Sequence, residues 1–220
     1  MLATLHRRLA FWGLLVLFIG IGGAEAAGPV IGTVQSLRGT ATVRSSDSPE
    51  APLAVSADVH QGETVRTGAE SRLKLLLRDG STLALGSETE LELDSLAMTP
   101  GSISLFVQLS GFVHAAIEPL RPGTQFLLRT PSMIAAVRGT EWIQNYEDGK
   151  TEIIVTKGHV QASSPLGRSN DRVALTPGEG VAFTLPAPGA RSITGEVNHT
   201  PVVHWQRSKI EMFEAATREP

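Results

Sequence analysis

At 220 residues, with no cysteine, 5% aromatics and a formal charge of −3, the chain has room for one sizeable domain whose core must come from Val, Leu, Ile and Ala. The missing cysteines exclude disulfides, thiolate zinc sites, cysteine nucleophiles and lipid-modified cysteine, and the scattered Lys and Arg argue against a nucleic-acid partner. With 22 glycines and 13 prolines, the chain suits short strands and many turns rather than long helices.

Residues 1–26 read as a secretory signal peptide: His6, Arg7 and Arg8 are basic, residues 9–23 are apolar, and Ala24-Glu25-Ala26 has the small-x-small pattern of a cleavage site. At about 1.5 Å per residue the apolar stretch reaches roughly 22 Å, short of a bilayer core of about 30 Å. Cleavage is therefore expected to leave no stable membrane span, and the protein is expected to be periplasmic or secreted. Only eight residues precede the apolar stretch.

From Val30 onward the texture is short β segments. Residues 30–34 and 37–44 alternate as strands do, and residues 45–52 form a loop rich in Ser, Asp and Pro. Residues 73–85 are the clearest hairpin, with Asp79-Gly80 supplying the two positive-φ positions of a type I′ turn. Residues 88–94 place Leu91 and Leu93 on one face and Glu90, Glu92 and Asp94 on the other, the pattern of a strand with one solvated face. Asp148-Gly149 marks a second hairpin turn.

The stretch from Thr130 to Trp142 organises the rest. Residues 132–137 are small and aliphatic, bounded by Pro131 and Gly139, and read as a buried strand. A guanidinium beside such a strand needs carboxylates or carbonyls, so Arg138 is expected to be buried and paired, and its loss to cost about 3 kcal/mol or more. Gly139 allows a turn or a close backbone approach.

Thr130-Pro131 and Ala136-Val137-Arg138-Gly139-Thr140 resemble the signature of the FecR domain, the periplasmic domain of ferric-citrate-type regulators. Further pieces resemble the same family in order: Gly39 to Val43, Gly62 to Gly68, Leu77 to Leu83 with Asp79 and Gly80, Gly111 to Val113, Gly158 to Val160, and Gly178-Glu179. The resemblance spans residues 28–186. It implies a β-rich extracytoplasmic binding or relay domain without catalysis, in which Thr130, Pro131, Arg138, Gly139, Thr140, Asp79 and Gly80 are structural and no cofactor is used.

Strand–Gly–strand units recur around Gly39, Gly111 and Gly158, and Gly-Glu recurs at Gly62-Glu63 and Gly178-Glu179. The expectation is an all-β fold, a β-solenoid-like or sandwich-like stack of short strands and hairpins, with a short C-terminal helix. Residues 187–220 read as a Pro- and Gly-rich linker and a helical tail, in which Trp205, Met212, Phe213 and Ala216 share a face that docks on the domain or meets a partner.

No catalytic constellation stands out. Ser71 and Lys74 match S-x-x-K but run into a strand, where positions three apart face opposite ways. The histidines at 60, 114, 159, 199 and 204 share no ligand spacing, although His114 and His159 occupy related repeat units. Trp142 and Tyr146 form either core or a ligand platform. The expected function is a non-enzymatic binding or interaction module for an envelope protein or surface ligand. The alternatives are a sensor acting through a separate membrane partner and, last, a cell-envelope enzyme.

Overall fold

The computed structural model describes residues 28–46, 48–165, 172–186 and 197–218. The expected signal peptide and the linker at 187–196 lie outside the described residues. Among these residues no helix is long and apolar enough to cross a membrane.

The strands divide between two sheets, and the chain passes repeatedly from one to the other. β1 (Val30–Arg38) lies in the first sheet; β2 (Ala41–Arg44) and the short β3 (Ala51–Pro52) lie in the second. β4 (Asp58–His60) returns to the first, β5 (Glu63–Thr67) crosses to the second, and the hairpin of β6 (Arg72–Leu77) and β7 (Thr82–Leu85) sits in the first. β8 (Glu90–Ser95) belongs to the second. β9 (Ile103–Ala116) starts in the second sheet against β8 and ends in the first against β7, so one strand joins both layers.

The pattern continues with β10 (Gln125–Arg129) and β11 (Ile134–Val137) in the second sheet, and β12 (Glu141–Glu147) and β13 (Lys150–Lys157) in the first. β14 (Val160–Ser163) and β15 (Arg172–Leu175) lie in the second; β16 (Glu179–Thr184), β17 (Asn198–His199) and β18 (Val203–His204) lie in the first. Helix α1 (Arg207–Thr217) closes the described chain.

Among the described residues every ladder is antiparallel except β9 with β10. The crossover a parallel pair requires is supplied by the far half of β9, which runs into the other sheet before the chain returns. A solenoid would stack its coils in parallel, so these pairings select the sandwich-like form of the expected all-β fold.

Alternation fills the space between the layers. Leu73, Leu75, Leu83, Leu85, Leu91 and Leu93 all point inward and are essentially inaccessible. Phe106 stacks on Phe126 at 5.1 Å between centroids, and Phe126 meets Trp142 of the opposite sheet edge-on at 6.2 Å. These residues belong to one continuous core cluster.

The three repeat units around Gly39, Gly111 and Gly158 are the places where the chain turns from one sheet to the other. At Gly111 the backbone has φ +78°, and a Cβ would stand 2.7 Å from Thr89 Cα. Thr89 takes advantage of that closeness: its hydroxyl accepts the Phe112 amide and donates to the Phe112 carbonyl, at 3.1 Å each. The two Gly-Glu pieces are also equivalent. Glu63 accepts the His60 amide and Glu179 the Thr176 amide, both at 2.7 Å.

Two turn readings separate here. At Asp148-Gly149 both residues have positive φ, as a two-residue type I′ hairpin needs. At Asp79-Gly80 only Gly80 does, at +89°, which corrects the expected type I′ turn. The Gly80 amide bonds Leu77 O and the Leu77 amide bonds Ser81 O, making a three-residue loop that ends in a glycine bulge.

Helix α1 docks on the outer face of the first sheet. Phe213 is 1% exposed and packs edge-on against Phe112 at 5.2 Å and Trp205 at 5.0 Å, above Ile143 and Ile154. Lys209 lies 3.8 Å from the Trp205 ring centroid and 2.9 Å from a Glu152 oxygen. Met212, expected on the docking face, is 57% exposed; Thr217 is buried instead.

Candidate functional site

The residues singled out by sequence fall at two ends of β11. Thr130 is buried, and its hydroxyl accepts the Met133 amide at 2.9 Å and meets the Thr151 hydroxyl at 2.6 Å. Ser132 Oγ reaches the same Thr151 hydroxyl at 2.6 Å, so the turn between β10 and β11 is tied across the sandwich to β13. Pro131 is exposed at its tip.

At the other end, Arg138, Gly139 and Thr140 form the corner into β12. Gly139 has φ +119°, and a Cβ there would lie 3.0 Å from Pro119 Cα. Thr140 donates its hydroxyl to His159 O at 2.8 Å and exchanges both backbone bonds with Ile117. Asp79 Oδ1 accepts the Ser81 amide at 2.9 Å, and Gly80 faces the Glu118 side chain, so this hairpin and the Gly139 corner meet across Glu118 and Pro119.

Arg138 is exposed and makes no ion pair with any described residue, which corrects its expected burial. β11 alternates: Ala135 and Val137 point in, Ile134 and Ala136 point out, and Arg138 lies beyond the strand on the outside of the corner. The small outward residue Ala136 made the run look buried on both faces.

The remaining candidates separate. Ser71 is buried as an acceptor for the Thr40 amide at 2.9 Å, and is not presented as a nucleophile. His114 bonds Glu141 at 2.9 Å on the outer face of the first sheet, whereas His159 sits beside Arg138 at the corner. No cluster of three or more His, Asp or Glu able to hold a metal occurs among the described residues. Glu90 pairs with Arg66 at 2.7 Å on a solvated face. Trp142 is core: its indole N–H donates to Gln144 at 2.9 Å, and Gln144 donates to Gln108 at 2.7 Å, a buried polar relay between the sheets.

Tyr146 faces a cleft of about 430 Å³, bounded by the β9 corner, the β12–β13 hairpin and the last turn of α1. Phe112, Asn145, Asp148, Arg72 and Ala216 also line it. Burial, and then the neighbouring Asp148 charge, push the Tyr146 phenol up, so it stays a neutral donor. Asn145 is 8% exposed, and its Oδ1 has no partner. Arg72 donates to Ser71 O at 3.0 Å and to Ala215 O at 3.3 Å, clamping the helix end beside the cleft. The cleft offers hydrogen-bonding groups and an aromatic wall, the equipment for holding a polar group. Asn145 and Arg72 carried no signal in the sequence, since nothing local marks which outward strand positions a distant helix will overhang.

Residues 63–161 match the model of the family described as FecR protein. Over that stretch the chain is similar to a FecR domain. The matched stretch runs from the start of β5 into β14, while β1, β2, β4, β15 and β16 pair into the same two sheets outside it. Two crystal structures of a protein assigned as an anti-sigma factor from Parabacteroides distasonis are similar to this chain at 17% identity and a TM-score of 0.49. The match covers 62% of this chain and 58% of theirs. A cell surface anchoring domain is 30% identical over 30% of this chain and 88% of its own, with a TM-score of 0.30. None of the curated proteins matches.

Proposed function

We propose that this chain is a non-enzymatic interaction module of a regulatory system working outside the cytoplasm, its FecR domain binding an envelope protein or surface ligand. The observation that carries the reading is the FecR match over residues 63–161. Two features agree with it. The matched stretch holds corners tied by threonine hydroxyls, and the cleft beside Tyr146 presents groups suited to holding a ligand. The N-terminal sequence supports export, with cleavage after Ala26.

Envelope fractionation with intact-mass measurement, combined with photo-crosslinkers at Asp148 and Ala216 on the cleft rim, tests this. A mass beginning at Ala27 in the periplasmic or secreted fraction and a discrete cross-linked envelope component are expected. Retention in the cytoplasm, or turnover of a cell-wall polymer by the purified protein, would overturn it.

A further inference from the structure

The two outer faces of the sandwich are not alike. Helix α1 covers part of the first sheet, but among the described residues no helix crosses the second, where β8, β9, β10 and β11 lie side by side. Their outward residues make an apolar strip: Leu105 and Val107 on β9, Leu127 on β10, Ile134 on β11. These side chains are half-buried by one another, and Ile103 at the end of the strip is 50% exposed.

Val107, at the middle of this face, is flanked by opposite charges on the two neighbouring strands. Register places Glu92 directly beside Val107 on one side and Arg129 directly beside it on the other. With strands about 4.8 Å apart, the Glu92 and Arg129 backbones stand roughly 10 Å apart on this face, with Val107 between them. Neither has an ion-pair partner among the described residues.

We propose that this face binds a second copy of the chain, forming a two-fold dimer whose axis runs along β9. Rotation about that axis lays β9 on its own copy, so Val107 and Leu105 meet themselves. It also carries each Glu92 opposite the Arg129 of the other subunit. Packed sheets stand about 10 Å apart, a gap that an extended Glu and an extended Arg close together. Along β9 and at the Glu92 and Arg129 positions the face is its own complement, as an isologous contact requires. A foreign partner would have to reproduce the same arrangement of acid, apolar strip and arginine. Four strands by five residues cover roughly 300 Å² of sheet, well below the about 800 Å² per partner of a standard interface, so the dimer is a weak, transient one.

Sedimentation equilibrium on protein purified from cells expressing the whole chain tests the proposal, across concentrations up to about 200 μM, high enough to populate a weak dimer. The wild type is expected to dimerise, and Glu92→Arg and Arg129→Glu are each expected to be monomeric. Both positions are solvent-accessible, and unchanged circular dichroism melts will show that the variants fold. Mixing the two variants is expected to restore a dimer, because each interface position then meets its opposite charge. A monomeric wild type over the whole range overturns the proposal. So does a dimer that survives either reversal, or a mixture that stays monomeric.

Discussion

Phe213→Ala tests how α1 is held. Burying a phenylalanine contributes about 1.5–3 kcal/mol, and the two edge-on contacts with Phe112 and Trp205 add about 0.5–1.5 kcal/mol each. The truncation therefore removes about 3–5 kcal/mol, as phenylalanine truncations in cores do. An 11-residue helix does not persist alone in water. Its docking contacts are what keep it formed, and their loss should release the helix rather than leave a cavity beneath it. Hydrogen exchange read by mass spectrometry should show amides of residues 207–217 exchanging roughly 100-fold faster or more, since each 1.4 kcal/mol is about tenfold. Protection in β6, β7 and β8 should stay as it was. Unchanged exchange in the helix would refute the docking energetics, and an equal loss in those strands would show that helix and sandwich unfold as one unit.

Other expectations follow from single residues. Gly111→Ala should lower stability by about 3 kcal/mol or more, because positive φ and the Thr89 backbone both oppose a Cβ. Gly62→Ala, with φ +85° but open space around it, should cost only about 1–2 kcal/mol, and paired thermal melts compare the two. Arg138→Ala should stay within about 0.5 kcal/mol of wild type by the same assay, since the side chain is exposed and unpaired. At Glu152 burial raises the carboxyl pKa, but hydrogen bonds from Lys209 and Lys150 outweigh it and hold the group below its ordinary 4.5. A depressed folded pKa stabilises fully above the unfolded value, and that stability is lost as pH falls through the folded one. Trp205 fluorescence should accordingly report a loosening of the helix contact as pH falls below about 4.5, and Glu152→Gln should remove that pH dependence.

Much of the fold was legible because two kinds of residue carry it. Alternating leucines at 73, 75, 83, 85, 91 and 93 announce strands and name their inward face. Glycines at 39, 111 and 158 announce breaks, and the repeat they mark is real. What the breaks do was not legible: the closeness of Gly111 to Thr89 depends on a residue 22 positions away. The same limit explains Arg138, whose burial was inferred from small neighbours when only the pairing of β11 with β10 and β14 decides which face is inside. The helix was found, but its face was turned: Met212 looked as apolar as Phe213, and only the position of Phe112 distinguishes them. The cleft beside Tyr146 is assembled from five separate stretches, and no local pattern foretells it.

β9 has a mechanical meaning beyond its place in the topology. It is gripped by β8 and β10 along one half and by β7 and β12 along the other, like a pin driven through two plates. Sliding one sheet over the other would have to strip backbone bonds on both sides of that pin at once. The sandwich therefore carries a load as a stiff block. A pull or a binding event at one end displaces the block as a whole, and the compliant part is the docked helix, held by side chains alone.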